Sequence, residues 1–578
     1  MSDPVNSRLV VPYHIWVFAQ CAYNSDDKAR ATVINAQNFD QIVADFNIEI
    51  TLEIENLIPQ SDSVSFVSLP IRSIMDFQPD SIAENIEVLK PLFFSHQALK
   101  KRLEEKMTET QCNEILIRHQ THPLIGNAVN NVINAVNETT EVTQKTANND
   151  DKDIDRLFGM LDLGDQPVEA PPSIEKSSDT LSPSYRALLT TSMHEIQRTL
   201  FQQLDKIIHN NQFQMMEQTW RGVKFLVDAL PDDESIVLTL VNTDKNSLAS
   251  DFNNLISSLD ETLLPSLAII DVEINCTTTD LTMLDDLGIS SEAYQVPSII
   301  NLSNSFMGKT RGQSMIGSAN DLSRIFSQPQ YVKWKSLRTK SHGRWITSCF
   351  NRFLLRPSYN RHNNSALEFS EWVAGDDVLL MGHPSWMLAR LVIESINNYQ
   401  WPTELTAPRS VIKNLPMHSF DLSTEQRFSI PLETIVDDTL ADEIAELGIV
   451  VLLCQPDKDS AFFRNLPTVF KPTLYDNVGL NNKQKLLASL PYQLVSTRIV
   501  NILLLHLNDI LSASTTELMS SRIEELLFPL IVETGKKSSL AVQVVDDSHN
   551  PGHHLAKINI KMGSRIMNGI EVELGIPL

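Results

Sequence analysis

The chain has 578 residues, too many for one hydrophobic core, and its 42% hydrophobic and 21% charged composition is that of a globular protein built from several domains. Its 47 Lys and Arg stand against 72 Asp and Glu, a formal charge of −25, which excludes a general nucleic-acid binder because phosphate binding needs clustered cations. That acidity serves either solubility alone or a basic partner surface.

Read along the chain, Val11 to Phe18 is apolar and residues 47–54 alternate polar and apolar, the pattern of a half-buried strand. After a third strand, Val64 to Ile71, Asp80 or Ser81 is expected to cap a helix that carries Ile82, Ile86, Leu89 and Leu92. These elements make a small α+β domain over 1–125. Residues 126–184 form a linker rich in Thr, Asn, Asp, Ser and Pro, in which Ile154, Leu157, Phe158 and Leu161 fall at the spacing of a short amphipathic helix at 152–163. From Ser184 the period switches repeatedly between 3.6 and 2, through a helix at Tyr185 to His209 and strands at Ile236 to Leu240 and Leu267 to Ile274. We expect a central domain over 185–430 and a C-terminal domain over 431–578. The latter holds helices at Arg498 to Leu511 and Glu517 to Glu533, then strands at Leu540 to Val545, Leu555 to Met562 and Gly569 to Ile576. The fold class is therefore α+β or mixed α/β, multidomain, with mixed sheets flanked by helices. A strand that runs nearly to Leu578 either forms a sheet edge or completes another chain's sheet.

Chemical motifs are sparse. Cys21, Cys112, Cys276, Cys349 and Cys454 are scattered, which indicates neither a disulfide framework nor a zinc site and fits a reducing cytoplasm. The N-terminus lacks a signal-peptide pattern, and no apolar run reaches the roughly 18–20 residues that span a bilayer, so neither classical export nor membrane insertion is expected. Phe306-Met307-Gly308-Lys309-Thr310 suggests a phosphate loop, but Ser303 stands where that motif needs its first glycine. Asp546, Asp547, His549, His553 and His554 look like metal ligands yet read better as a solvated turn. His14, His383 and His418 sit in apolar surroundings, and Ser348 and Cys349 lie near His342 without any recognised nucleophile motif. Trp220, Trp334, Trp372, Trp386 and Trp401 read as core or interface anchors. No catalytic residue, metal or cofactor is assigned, and an enzyme is the most distant reading.

Two ordered blocks of motifs carry a resemblance. Residues 11–18, 35–40 and Ile71-Arg72-Ser73-Ile74-Met75-Asp76-Phe77-Gln78-Pro79-Asp80 resemble the small sheath subunit of bacterial type VI secretion systems (VipA/TssB-like). Residues 213–222, including Trp220-Arg221-Gly222, then 321–338, 352–359, 415–420, 471–476 and 488–492 resemble the large sheath subunit (VipB/TssC-like). The resemblance implies a contractile-sheath structural subunit that packs around an inner tube and contracts to propel it, with the two subunits fused in one chain. Implied partners are further sheath subunits, the inner tube protein, the baseplate and an AAA+ disassembly ATPase. The last would grip a short helix in the place of Ile154, Leu157, Phe158 and Leu161, unless that stripe packs on its own protein. Intersubunit strand pairing is expected to involve Ile558, Ile560, Ile570, Val572 and Leu574. The usual arrangement is two chains, and the arm before Trp220 is shortened here, so a non-polymerising homologue that caps, initiates or seats the sheath is the alternative.

Overall fold

The apolar run that opens the chain has no alternation because the strand it forms is covered on both faces, as strands at the centre of parallel sheets are. The computed structural model describes residues 11–23, 30–57, 64–130, 181–260, 263–308, 319–361, 367–373, 378–423, 426–531, 539–546, 553–561 and 571–578. In chain order its strands are β1 (Tyr13–Ala19), β2 (Ala31–Ile34), β3 (Ile48–Glu55), β4 (Val64–Ile71), β5 (Ile236–Asn242), β6 (Leu267–Ile274), β7 (Ser298–Leu302), β8 (Ile346–Phe350), β9 (Phe353–Leu354), β10 (Met381–Gly382), β11 (His418–Ser423), β12 (Gln426–Ile430), β13 (Ile449–Cys454), β14 (Ala461–Phe463), β15 (Ser539–Asp546), β16 (His554–Lys561) and β17 (Glu571–Pro577). The chain divides into two compact units: Met1–Ile48 with Met215–Ser358 and Val373–Leu578, and Glu49–Gln214 with Tyr359–Trp372.

The first unit is organised by a sheet of order β14-β13-β8-β7-β6-β1-β5-β2. Its six inner strands run parallel, and the outer β2 and β14 are antiparallel. Trp16 and Phe18 of β1, Ala268, Ile270, Val272 and Ile274 of β6, and Ile300 and Leu302 of β7 belong to one apolar cluster, so alternate residues define one face. Helices Leu248–Ser257, Thr278–Tyr294, Val332–Leu337 and Asp438–Glu446 pack residues into that cluster from the same side. The intervening positions Asp271 and Asn301 look the other way, where His383 meets Asp271 at 2.6 Å and the Ser385 amide donates to Asn301 at the start of helix Pro384–Tyr399. Helices therefore cover both faces, the doubly wound arrangement. This is the mixed α/β class expected from sequence.

β1 is held by β5 on one side and β6 on the other. The expected division at 1–125, 126–184, 185–430 and 431–578 does not coincide with the compact units: residues before 125 enter both, and so do residues after 184. The physical reason is pairing. β1 has no partner among the first 125 residues and completes a sheet made by strands that come much later.

In the second unit the β3–β4 hairpin buries Ile50, Leu52, Ile54, Val67 and Leu69 while Glu49, Glu53 and Glu55 stay exposed. Helix Lys90–Leu103 packs on helices Glu109–Arg118 and Pro183–Ile208. The helix expected to be capped by Asp80 or Ser81 starts instead at Pro79, with Gln78 as its N-cap, because proline at the first position supplies a helical φ and gives up no hydrogen bond. It ends at Asn85; Leu92 belongs to the next helix, Lys90–Leu103, and Leu89 is that helix's N-cap.

The C-terminal part of the first unit joins helices Leu490–Leu505 and Thr516–Ile531 to the antiparallel sheet β15-β16-β17. The first of these helices starts eight residues before the expected Arg498, again with a proline, Pro491, in its first turn. It breaks at His506 into a separate turn of helix, Leu507–Leu511.

Candidate intersubunit surface

The motif at 217–222 works through packing. Trp220 is fully buried, donates from Nε1 to the Cys21 carbonyl (3.1 Å), and meets Phe39 and Phe46 edge-on. The Glu217 carboxylate, with no exposed area, accepts from Arg221 (2.7 Å) and from Arg356 (2.9 Å), so two motifs far apart in sequence close on one buried charge. Gly222 is required by close approach: a Cβ there would lie 2.4 Å from the Trp386 ring.

The 72–80 signature is a device for a tight turn in the second unit. The Asp76 carboxylate accepts from the amides of Arg72 (2.8 Å) and Ser73 (2.9 Å), and the Ser73 hydroxyl accepts from Met75 (3.3 Å), a reciprocal cap. Phe77 is then fully buried, edge-on to Phe213, and its carbonyl accepts from the Tyr359 hydroxyl. Asp80, released from the capping role, accepts from the Leu367 amide (3.1 Å). The segment Tyr359–Trp372 is fastened further by Glu371, which meets His209 at 3.0 Å, and by Asp205, which accepts from the Trp372 amide. Burial pushes the Asp205 carboxyl up to about 6.

Edges decide what the C-terminal sheet can offer a neighbour. β16 is paired on both sides, with β15 and with β17. Ile558, Ile560 and Val572 are buried, and with Leu574 they join the apolar cluster beneath the sheet; Ile570 lies outside the described residues. Because hydrogen-bonded pairs alternate along an antiparallel ladder, the backbone of 540, 542 and 544 faces away from β16. Two of those outward amides are already taken: Val542 donates to Glu524 (3.3 Å) and Val544 to Ser520 (3.0 Å), both on helix Thr516–Ile531. On β17 the pairs 554–578, 556–576, 558–574 and 560–572 face inward, which leaves Glu573 and Gly575 on the outer edge. There the Tyr492 hydroxyl donates to the Glu573 carbonyl (3.3 Å), and Pro577 brings no N–H.

The chemical motifs resolve into structure. Ser303 caps a short turn, Asn304–Met307, whose Phe306 and Met307 are buried, and Gly308 ends it with φ +73°; Lys309 and Thr310 lie outside the described residues. The Ser348 hydroxyl donates to the Gly448 carbonyl (2.9 Å), and burial holds the Cys349 thiol far above its usual range. His342 pairs with Asp285 (2.8 Å), His418 meets the Leu432 carbonyl (2.8 Å), and burial lowers the pKa of His14. His554 lies 3.1 Å from Asp546, while Asp547 and His549 fall outside the described residues. Among the described residues no group of His, Cys, Asp and Glu is arranged to hold a metal, and no helix is long and apolar enough to cross a membrane. Trp220, Trp334, Trp386 and Trp401 are buried, whereas Trp372 is exposed. Ile154, Leu157, Phe158 and Leu161 lie outside the described residues.

Residues 11–121 match the family described as "Type VI secretion system, VipA, VC_A0107 or Hcp2", and residues 190–264 and 265–470 match VipB, "EvpB/VC_A0108, tail sheath N-terminal domain". The type VI secretion system sheath protein TssC1 of Pseudomonas aeruginosa is 26% identical; the match covers 52% of this chain and 65% of that relative, just under two thirds of its length. Among solved structures, the contracted helical sheath of the anti-feeding prophage is similar at 10% identity over 59% of this chain and 73% of that one, with a TM-score of 0.28. Residues 471–578, with the C-terminal sheet, lie beyond the matched family segments. The two family matches place the chain in the class of tail-sheath proteins. It belongs to the type VI secretion sheath family and carries a VipA-type and a VipB-type segment in one polypeptide.

Proposed function

We propose that this chain is a structural subunit of a contractile sheath, acts without catalysis in the cytoplasm, assembles helically with further copies or other sheath subunits around an inner tube protein, and contracts to drive it. The observation that supports this reading most is the β1 strand, which brings the VipA-type segment into the middle of the sheet built by the VipB-type segment. The two behave as one protomer, the unit a non-closing, repeated contact would stack into a tube. Family membership, rather than geometry, supports the inner tube, the baseplate and an AAA+ disassembly ATPase as partners. The stripe Ile154, Leu157, Phe158 and Leu161 is our assignment for the ATPase's grip; changing Leu157 and Phe158 to Asp should abolish ATPase binding and leave assembly intact, and unaltered binding would sink that assignment.

For pairing between subunits we assign the outer edge of β17, at Glu573 and Gly575, since β16 is occupied on both sides. A Gly575→Pro chain removes one outward donor, and proline is tolerated at sheet edges. It should keep the parent's melting temperature and lose ordered assembly; normal tubes from it would refute the assignment. The occupied flank of β15 and the Tyr492 contact on β17 are the observations that favour a second reading, a non-polymerising homologue that caps, initiates or seats the sheath.

A further inference from the structure

Helix Val478–Leu487 buries none of its residues, although an amphipathic helix ordinarily owes its order to one buried face. Its last turn leans Leu486 and Leu487 on the C-terminal apolar cluster, and polar ties hold the rest. The Asn477 side chain accepts from the Leu480 amide (3.2 Å), the Asn481 side chain bonds the Tyr475 amide and carbonyl (2.7 and 2.8 Å), and Lys483 and Lys485 pair with Glu573 and Glu446. This rigid turn raises an exposed apolar ridge, Leu474, Tyr475, Val478 and Leu480, with Val478 at 76% exposure. Four large apolar side chains within seven residues, left in water on a preformed support, form an uncovered contact patch.

Leu474 also lines a cavity of about 410 Å³ together with Leu466, Pro467, Phe470 and Pro472. Arg338, Arg464, Lys471 and Lys485 line it with Asp442 and Glu446; Arg464 is paired with Asp438 and Asp442 and Lys485 with Glu446, so the positive excess rests on Arg338 and Lys471. In a chain of net charge −25 that local excess of positive charge is unusual. Arg338 strengthens it, because its guanidinium donates to the carbonyls of Val469 and Glu446 and not to a carboxylate.

The complementary surface is on the same chain. The outward face of helix Thr516–Ile531 carries Glu517, Leu518, Ser521, Glu525 and Phe528, with Phe528 at 54% exposure. Arg522 is turned aside to the Asp509 carbonyl and the Ser512 hydroxyl, so the face presents carboxylates and apolar side chains without a cation. Both surfaces are exposed in one chain, so neither covers the other within it.

We propose that the cavity and ridge at 464–480 receive the Thr516–Ile531 helix of a second copy of this chain, with Phe528 entering the cavity and Glu517 and Glu525 facing its basic rim. An aromatic anchor in a pocket with complementary charge around it is the arrangement that concentrates binding energy. Two different surfaces meet, so the contact is head-to-tail and continues from copy to copy. It deepens the sheath reading above and rests on it.

The test mixes a Leu474→Cys chain with a Phe528→Cys chain, both in a Cys276→Ser background that removes the one half-exposed native thiol. On oxidation the mixture should give a disulfide-linked dimer at least tenfold above either variant alone. A Phe528→Asp chain should melt as the parent does, since the site is exposed, yet need at least tenfold more protein to assemble. Normal tubes from Phe528→Asp without a mixed dimer would overturn this contact and leave the sheath reading standing. A parent chain that forms no tubes would defeat the sheath reading, and the crosslink would then decide the contact alone, its absence overturning it.

Discussion

Cutting the chain between its two segments should not separate them. A protease site placed within 131–180 would leave an N-terminal fragment that owns β1 and β2 and a C-terminal fragment that owns the remaining strands of the same sheet. Ile15, Trp16, Val17 and Phe18 of β1 are buried, and at about 1.5–3 kcal/mol each they contribute roughly 6–12 kcal/mol to holding the fragments together. The backbone ladder to β5 and β6 adds to this. In the second unit Ile50, Leu52, Phe77 and Leu92 of the N-terminal fragment are buried as well, and the fragments are expected to stay together at the micromolar concentrations that correspond to about 8 kcal/mol. The assay is size-exclusion chromatography of the cut protein at micromolar concentration, with co-elution expected. A Phe18→Ala chain, which loses the fully buried ring that packs 5.1 Å from Phe252, should be about 3–5 kcal/mol less stable, and its cut halves should part at lower urea. Separation of the parent fragments without denaturant would refute the shared sheet.

Gly222→Ala should destabilise the chain by about 1–3 kcal/mol, read as a lower urea midpoint, because the new methyl group meets the Trp386 ring; an unchanged midpoint would contradict the packing described. Glu217→Gln leaves Arg221 and Arg356 without their shared buried anion and should cost about 3–5 kcal/mol in the same measurement. His96 has its pKa lowered from 6.5 to about 4 by burial and by Lys100, so the unfolded chain takes up the proton first. Stability should therefore fall as pH drops from 6.5 through 4, by about 3 kcal/mol, and a His96→Phe chain should lose that slope. Asp205 works in the opposite sense, since its raised pKa favours the folded state as pH falls from about 6 toward 3.8; Asp205→Asn should steepen the acid loss.

The elements set by local pattern were legible in the sequence: Val64–Ile71 and Leu267–Ile274 fall where the apolar runs place them, and β3 shows the alternation of a half-buried strand. The continuous apolar run at β1 carried a further message, burial on both faces, which one small α+β domain could not provide. Its partners lie more than two hundred residues away, and periodicity holds no information about pairing at that distance. Helix starts were misplaced at Pro79 and Leu490, in both cases where a proline stands in the first turn, and at Pro79 it outweighed the nearby capping residues Asp80 and Ser81. The buried charge at Glu217 was hidden for another reason: Arg221 and Arg356 were visible as motif residues, but only the fold turns them toward one carboxylate. Strand exchange was read from the alternation of β16 and β17, which records burial and not free backbone edges, and only the register shows Glu573 and Gly575 on the outside.

The most direct test of the account is negative-stain electron microscopy of the purified full-length chain, with and without an inner-tube protein. Hollow, striated tubes are the predicted result, and their loss in the Gly575→Pro chain would tie them to the β17 edge. Discrete particles under every condition would contradict the self-assembling sheath and leave the capping or seating homologue.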